Sequence, residues 1–172
     1  MKAFEEIGKS ALRELLIKNW MTHDGTWFYH CLQTVGIEKT NELNKAAIKS
    51  LAGIEMGRIR KIFEFTKPRV DNLEELTDFI DAAFRLNIGD FMGATHSFPE
   101  KNLLRWEVGD QGCWAYRGVK RLGVIDRYEC GVMYRIFCWL DCLGIQYRVS
   151  PNEIGCLFHK YGKCAGDIRL FS

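Results

Sequence analysis

No stretch of this sequence approaches about 18 consecutive uncharged apolar residues, the least a membrane-spanning helix needs, so no span is predicted. The N-terminus, MKAFEEIGKSALRELL, carries acids and lacks the apolar segment of a secretory leader. Both absences point to the cytoplasm, where thiols stay reduced. Seven cysteines, an odd count, also argue against a complete disulfide framework. Burial, metal binding and catalysis remain as uses for them. There is no long basic block, and the net charge is only +2. Phosphate-backbone binding normally shows clustered Lys and Arg, so nucleic acid is not an expected partner. Nucleotide-binding Gly-x-Gly-x-x-Gly, phosphate-loop and Gly-x-Ser-x-Gly motifs are all missing. So are internal repeats and any Pro/Gly/Ser-rich linker.

What is there fits a packed protein: 47% hydrophobic and 13% aromatic residues. A length of 172 residues suits one domain, 1–172. Within it, 1–68 reads as a helical subregion and 69–172 as an α+β region. Ile7, Leu12, Leu15, Leu16, Trp20 and Met21 follow roughly the helical period. Gly25 is expected to interrupt this run, at about 1 kcal/mol for glycine in a helix interior. A second helix, Thr26–Val35, ends at Gly36. A third runs from Glu38 to Phe65, with Lys67-Pro68 as its stop. Asn72 then caps a helix, with Glu75 three residues on.

After Leu86 the pattern changes. DFMGATHSF and NLLRWEV read as paired strands, QGCWAYRGVKRLG as a helix, and Ile125–Leu143 as a long helix closed by Gly144. Strands at Ile145–Val149, Gly155–Tyr161 and Asp167–Phe171 close the chain. The fold class is α+β, a helical N-terminal half packed on an antiparallel sheet.

Two stretches carry candidate chemistry. The first is NEIGCLFHKYGKC. A hairpin around Tyr161-Gly162 would bring Cys156 and Cys164 together, with Glu153 just upstream. Structural zinc takes four tetrahedral ligands, often thiolates. A helix over Cys130–Leu143 and a returning strand each cover about 20 Å, so Cys130 falls beside the turn at Pro151. The expected metal ligands are Cys130, Glu153, Cys156 and Cys164, and the expected metal is zinc. His159 is the rival to Glu153, although in a regular strand residues three apart face opposite ways. Cys138 and Cys142 share a helix face farther off. Plain burial of these thiols is the simpler alternative.

The second stretch is NWMTHDGTWFYHC. Trp20, His23, Trp27 and His30 would share one helix face and line an apolar pocket with polar anchors. His96, Trp106 and Trp114, with Tyr116 nearby, form a second aromatic group. Core packing explains both groups equally well. Cys113 becomes a nucleophile only if a base lies close or a helix N-terminus lowers its pKa.

RYECGVMYRIFCWLDCLGIQYRVSPNEIGCLFHKYGKCAGDIRLF resembles the C-terminal half of the 4-vinyl-reductase-type ligand-binding domain. That family includes phenol-sensing domains of transcription activators. The resemblance implies its fold, a small-molecule pocket, and zinc at Cys130, Glu153, Cys156 and Cys164. Gly155 departs from it, where an acid is common, as does the extra turn Ser150–Asn152. NWMTHDGTWFYHC, SFPEKNLLRWEV and KRLGVIDRYECGVMYRI resemble a prokaryotic family loosely grouped with L-2-amino-thiazoline-4-carboxylate hydrolases.

The leading expectation is thus a zinc-containing protein that binds a small, apolar or aromatic molecule. A ring-opening hydrolase using His23 or His30 with Asp24, or Cys113, is the alternative. A homodimer scaffold built on the amphipathic Ala3–Met21 helix is the third.

Overall fold

A computed structural model describes residues 3–65 and 72–171. A 54-residue helix, α1 (Lys9–Ile62), dominates the N-terminal half. Gly25 does not interrupt it. The break falls at Gly36, whose φ of 75° and ψ of 172° leave helical space; only glycine takes that φ without a side-chain clash. Beyond it, Ile37, Asn41, Asn44, Ala52, Met56 and Ile59 are buried at intervals that keep one face inward. Ile54 and Ile62, on the same helix, stay exposed.

Helix α2 (Leu73–Asn87) begins as its sequence dictates. Asn72 Oδ1 accepts a hydrogen bond from Glu75 N at 2.9 Å. Leu76, Phe79, Ile80, Ala83 and Phe84 then form its buried stripe. Asn72→Ala is expected to lower stability by about 1 kcal/mol, read from urea unfolding. The Lys67-Pro68 stop lies outside the described residues.

Strands β1 (Ala94–Glu100), β2 (Leu103–Val108), β3 (Gln146–Ser150) and β4 (Cys164–Phe171) form one sheet in the order β1-β2-β4-β3. Every pairing is antiparallel, with Trp106 opposite Gly166, Val108 opposite Cys164 and Val149 opposite Ile168. Alternation sends Leu104, Ile168 and Leu170 into the core, where they join Phe84, Trp139 and Leu140. Helix α3 (Trp114–Arg121) follows β2.

Two expected elements differ. The helix expected from Ile125 starts only at Gly131, as α4 (Gly131–Cys142), because Cys130 is its extended cap residue. The strand expected over Gly155–Tyr161 is instead the short helix α5 (Leu157–Tyr161), closed by Gly162. Only a single bridge, Glu129 to Gly155, keeps the strand-like pairing there.

One polar knot joins α1 to α4. Arg135 Nε donates to Glu55 Oε2 at 2.9 Å, its second nitrogen donates to the other carboxylate oxygen, and Trp139 Nε1 also donates to Oε2 at 2.9 Å. The guanidinium lies 4.5 Å from the Trp20 ring centroid and 5.1 Å from that of Trp139.

The chain is therefore α+β, with a helical N-terminal half and a four-stranded antiparallel sheet. Among the described residues no helix is long and apolar enough to cross a membrane.

Candidate metal centre and adjoining groove

Four cysteines come from the starts of four elements. Cys113 caps α3, and its Sγ accepts from Tyr116 N at 3.4 Å. Cys130 caps α4, and its N–H donates to Ile154 O at 2.8 Å. That bond, with the Glu129–Gly155 bridge, fixes Cys156 nearby, at the cap of α5. Cys164 opens β4 opposite Val108, the last residue of β2. The Tyr116 and Phe158 rings, 4.7 Å apart, join the first turns of α3 and α5 and so the caps preceding them.

Cys130 lies within electrostatic reach of the other three thiols, Cys113, Cys164 and Cys156. Burial, first of all, pushes Cys130 up to about 12, helped by the proximity of Cys113, Cys164 and Cys156. It pushes Cys164 up to about 11 and raises Cys113 as well. Trp106 opposes this at Cys164, since its indole N–H is directed towards that sulfur. The contact falls short of a hydrogen bond, however, and Trp106 Nε1 is buried without a partner. A buried donor of this kind costs about 1–3 kcal/mol, and a thiolate at Cys164 is the acceptor that would satisfy it.

Three of the four expected metal ligands, Cys130, Cys156 and Cys164, therefore share this neighbourhood. The fourth, Glu153, is engaged elsewhere. Its Oε1 accepts from Lys160 Nζ at 2.6 Å and from Tyr161 Oη at 2.5 Å, which together lower its pKa. His159 lies exposed on α5. Cys138 is buried in the main core and Cys142 exposed near the end of α4. Among the described residues, no three or more His, Cys, Asp or Glu side chains are arranged tightly enough to hold a metal ion. The thiols are neighbours, not a formed tetrahedron.

Cys113 is the member sequence reasoning missed. The available signal was a cysteine at the start of a helix directly after a strand, which had suggested a nucleophile. Its raised pKa is the opposite of what a nucleophilic thiol needs.

Beside the cysteines runs a groove of about 330 Å³ between α1 and α3. Of the aromatic and histidine residues expected to line a pocket, Trp114 lines it. Trp20 covers Arg135, while His23, Trp27 and His30 are exposed on α1. His96 Nε2 contacts Asp81 Oδ1 at 2.9 Å, and Trp106 is core. Gly25 earns its place here by close approach, because a Cβ on it would fall 2.4 Å from the Trp114 ring. Asp24 also lines the groove; burial raises its pKa, against the pull of Arg135 and His23. Much of its surface is still open to solvent, so that effect is modest.

These features define a class, an α+β protein with a cysteine cluster at its helix starts and an aromatic groove alongside. The chain belongs to a family of unknown function (DUF6125), which it matches over residues 6–96. That stretch spans α1, α2 and the first residues of β1, and all four clustered cysteines lie beyond it. No curated protein and no solved structure matches the chain.

Proposed function

We propose that this chain is a small-molecule-binding protein whose C-terminal half is tied together by one structural metal, zinc by the chemistry of its donors. The observation that carries the proposal is the meeting of Cys113, Cys130, Cys156 and Cys164 at the starts of α3, α4, α5 and β4. Thiolates are the preferred donors of structural zinc, and the unpartnered Trp106 N–H beside Cys164 favours a charged sulfur there. The likeness of the C-terminal half to 4-vinyl-reductase-type domains supports both the metal and that fold. Cys113 takes the place which the likeness gives to Glu153, because Lys160 and Tyr161 already hold Glu153.

Four protein ligands leave no open position for a substrate or a water. The bound metal supplies folding free energy and keeps the thiols deprotonated. On this reading the metal would tie three helix starts and one strand start together, next to the α1–α3 groove that would receive the ligand and that Trp114, the residue after Cys113, helps to line.

The test is elemental analysis of the chain purified without added metal. About one equivalent of zinc per chain is the expected result. Less than a tenth of an equivalent, with four freely titratable thiols in their place, would refute the metal tie.

A further inference from the structure

The groove between α1 and α3 contains a polar side chain with no protein partner among the described residues. Asn44 is buried, with 8% of its surface exposed, and lines the groove. Its carboxamide makes no hydrogen bond within the protein among the described residues, whereas its neighbour Asn41 bonds to Arg127 O and Glu129 N. The Asn44 amide sits against Gly131, where an added Cβ would come 2.7 Å from Nδ2. The Tyr128 hydroxyl lies beside it, already accepting from Gly131 N at 3.0 Å. Phe28 and Trp114 contribute aromatic walls to the same groove.

A primary carboxamide offers a donor and an acceptor side by side in one plane. Neither polar atom of Asn44 is sealed off without a partner, as Trp106 Nε1 is, so both stay reachable, and a ligand that pairs both takes the place of solvent there. The partner that pairs both is an amide edge, N–H and C=O on adjacent ring atoms. Aromatic walls favour a flat ring stacked between them. About 330 Å³ lies at the small end of ligand sites, enough for one or two fused rings.

We propose that this groove binds a flat lactam-type heterocycle, and that Asn44 reads its N–H/C=O edge. The proposal rests on the small-molecule half of the reading above and is independent of the metal. Asn44 is a specificity residue here, not a catalytic one.

The probe is 1(2H)-isoquinolinone, a fluorescent bicyclic lactam, set against its N-methyl derivative. The derivative keeps the ring and the carbonyl but loses the N–H. Titrated into the full chain, the lactam should saturate and bind at least tenfold more tightly than the N-methyl compound. Asn44→Asp turns the edge into two acceptors, so it should reverse the preference in favour of 1-aminoisoquinoline, which presents donors. Because Asn44 is buried, a second variant guards against a folding failure. A Cβ on Gly118, in α3, meets nothing within 4 Å, and Gly118 lines the groove. Gly118→Leu should fill the groove, abolish binding and leave zinc content unchanged.

Equal binding of the two isoquinolinones, no saturable binding by the parent chain, or undiminished binding by Gly118→Leu would each overturn the proposal. Zinc is measured on the same samples. Metal without probe binding sinks the groove alone, and probe binding without metal sinks the metal tie alone.

Discussion

Glu55→Ala is expected to cost about 3 kcal/mol of folding stability, the low end for removing one partner from a buried ion pair, because this pair keeps some solvent access. Glu55 and Arg135 side chains are only 13% and 18% exposed. Glu55 accepts from both Arg135 and the Trp139 indole, so truncation strands two donors at once. Arg135 would keep its contacts with the Trp20 and Trp139 rings, but these offset only about 0.5–2 kcal/mol. Because the knot joins α1 to α4, the loss should appear in global urea unfolding as a lower midpoint at constant slope. Glu55→Gln retains an acceptor for Trp139 and should fall between Glu55→Ala and the parent chain. A change below about 1 kcal/mol for Glu55→Ala would mean that the knot is ornamental.

Cys130→Ser should have an effect of similar size through a different route. It removes one thiolate and, on the proposed reading, the metal with it. Structural zinc contributes roughly 10–16 kcal/mol in isolated finger peptides. Losing even a third of that would lower the melting temperature by on the order of 10–20 °C at about 2–4 °C per kcal/mol for a chain of this size. Cys113→Ser should do the same. Cys142→Ser, exposed and outside the cluster, should leave both metal and melting unchanged, as should Glu153→Gln with respect to metal content.

The pH dependence follows from the thiols themselves. Burial raises Cys130 from the ordinary 9.0 to about 12 and Cys164 to about 11. The fold therefore favours their protonated forms. In chelated protein that preference stabilises the fold fully below pH 9.0, and it is lost as pH climbs towards 11 and 12. Metal reverses the sign, since binding needs thiolates and expels their protons. Zinc-loaded protein should consequently weaken on acidification and chelated protein on alkalinisation. Thermal melts across pH with and without a chelator check this, and identical profiles would contradict it.

Much of the scaffold can be read directly from the residues. The Asn72 cap, the β1–β2 hairpin and β3 follow from local side-chain chemistry and period-two alternation. The return of the chain from β3 to the neighbourhood of Cys130 follows from element lengths, whereas Cys156 and Cys164 are joined through α5 and Gly162 and not through the expected hairpin. What escapes is tertiary. Gly25 sits inside α1 with Trp114 lying against its bare backbone, a contact no local pattern encodes. Helix α5 is five residues long, too short to display a helical period, so LFHKY passes for a strand. The place of Cys113 depends on the β2–β4 register and on Tyr116 meeting Phe158, both long-range events. Asn44 escapes because an asparagine in mid-helix looks solvent-facing until α4 covers it with Gly131.

Four sulfurs around one ion form the proposed tie, and X-ray absorption at the zinc edge of the chain purified without added metal examines that shell itself. The expected spectrum fits four sulfur scatterers at about 2.3 Å with no nitrogen or oxygen. A shell containing oxygen, as Glu153 would supply, or a preparation with no zinc to absorb, would contradict it.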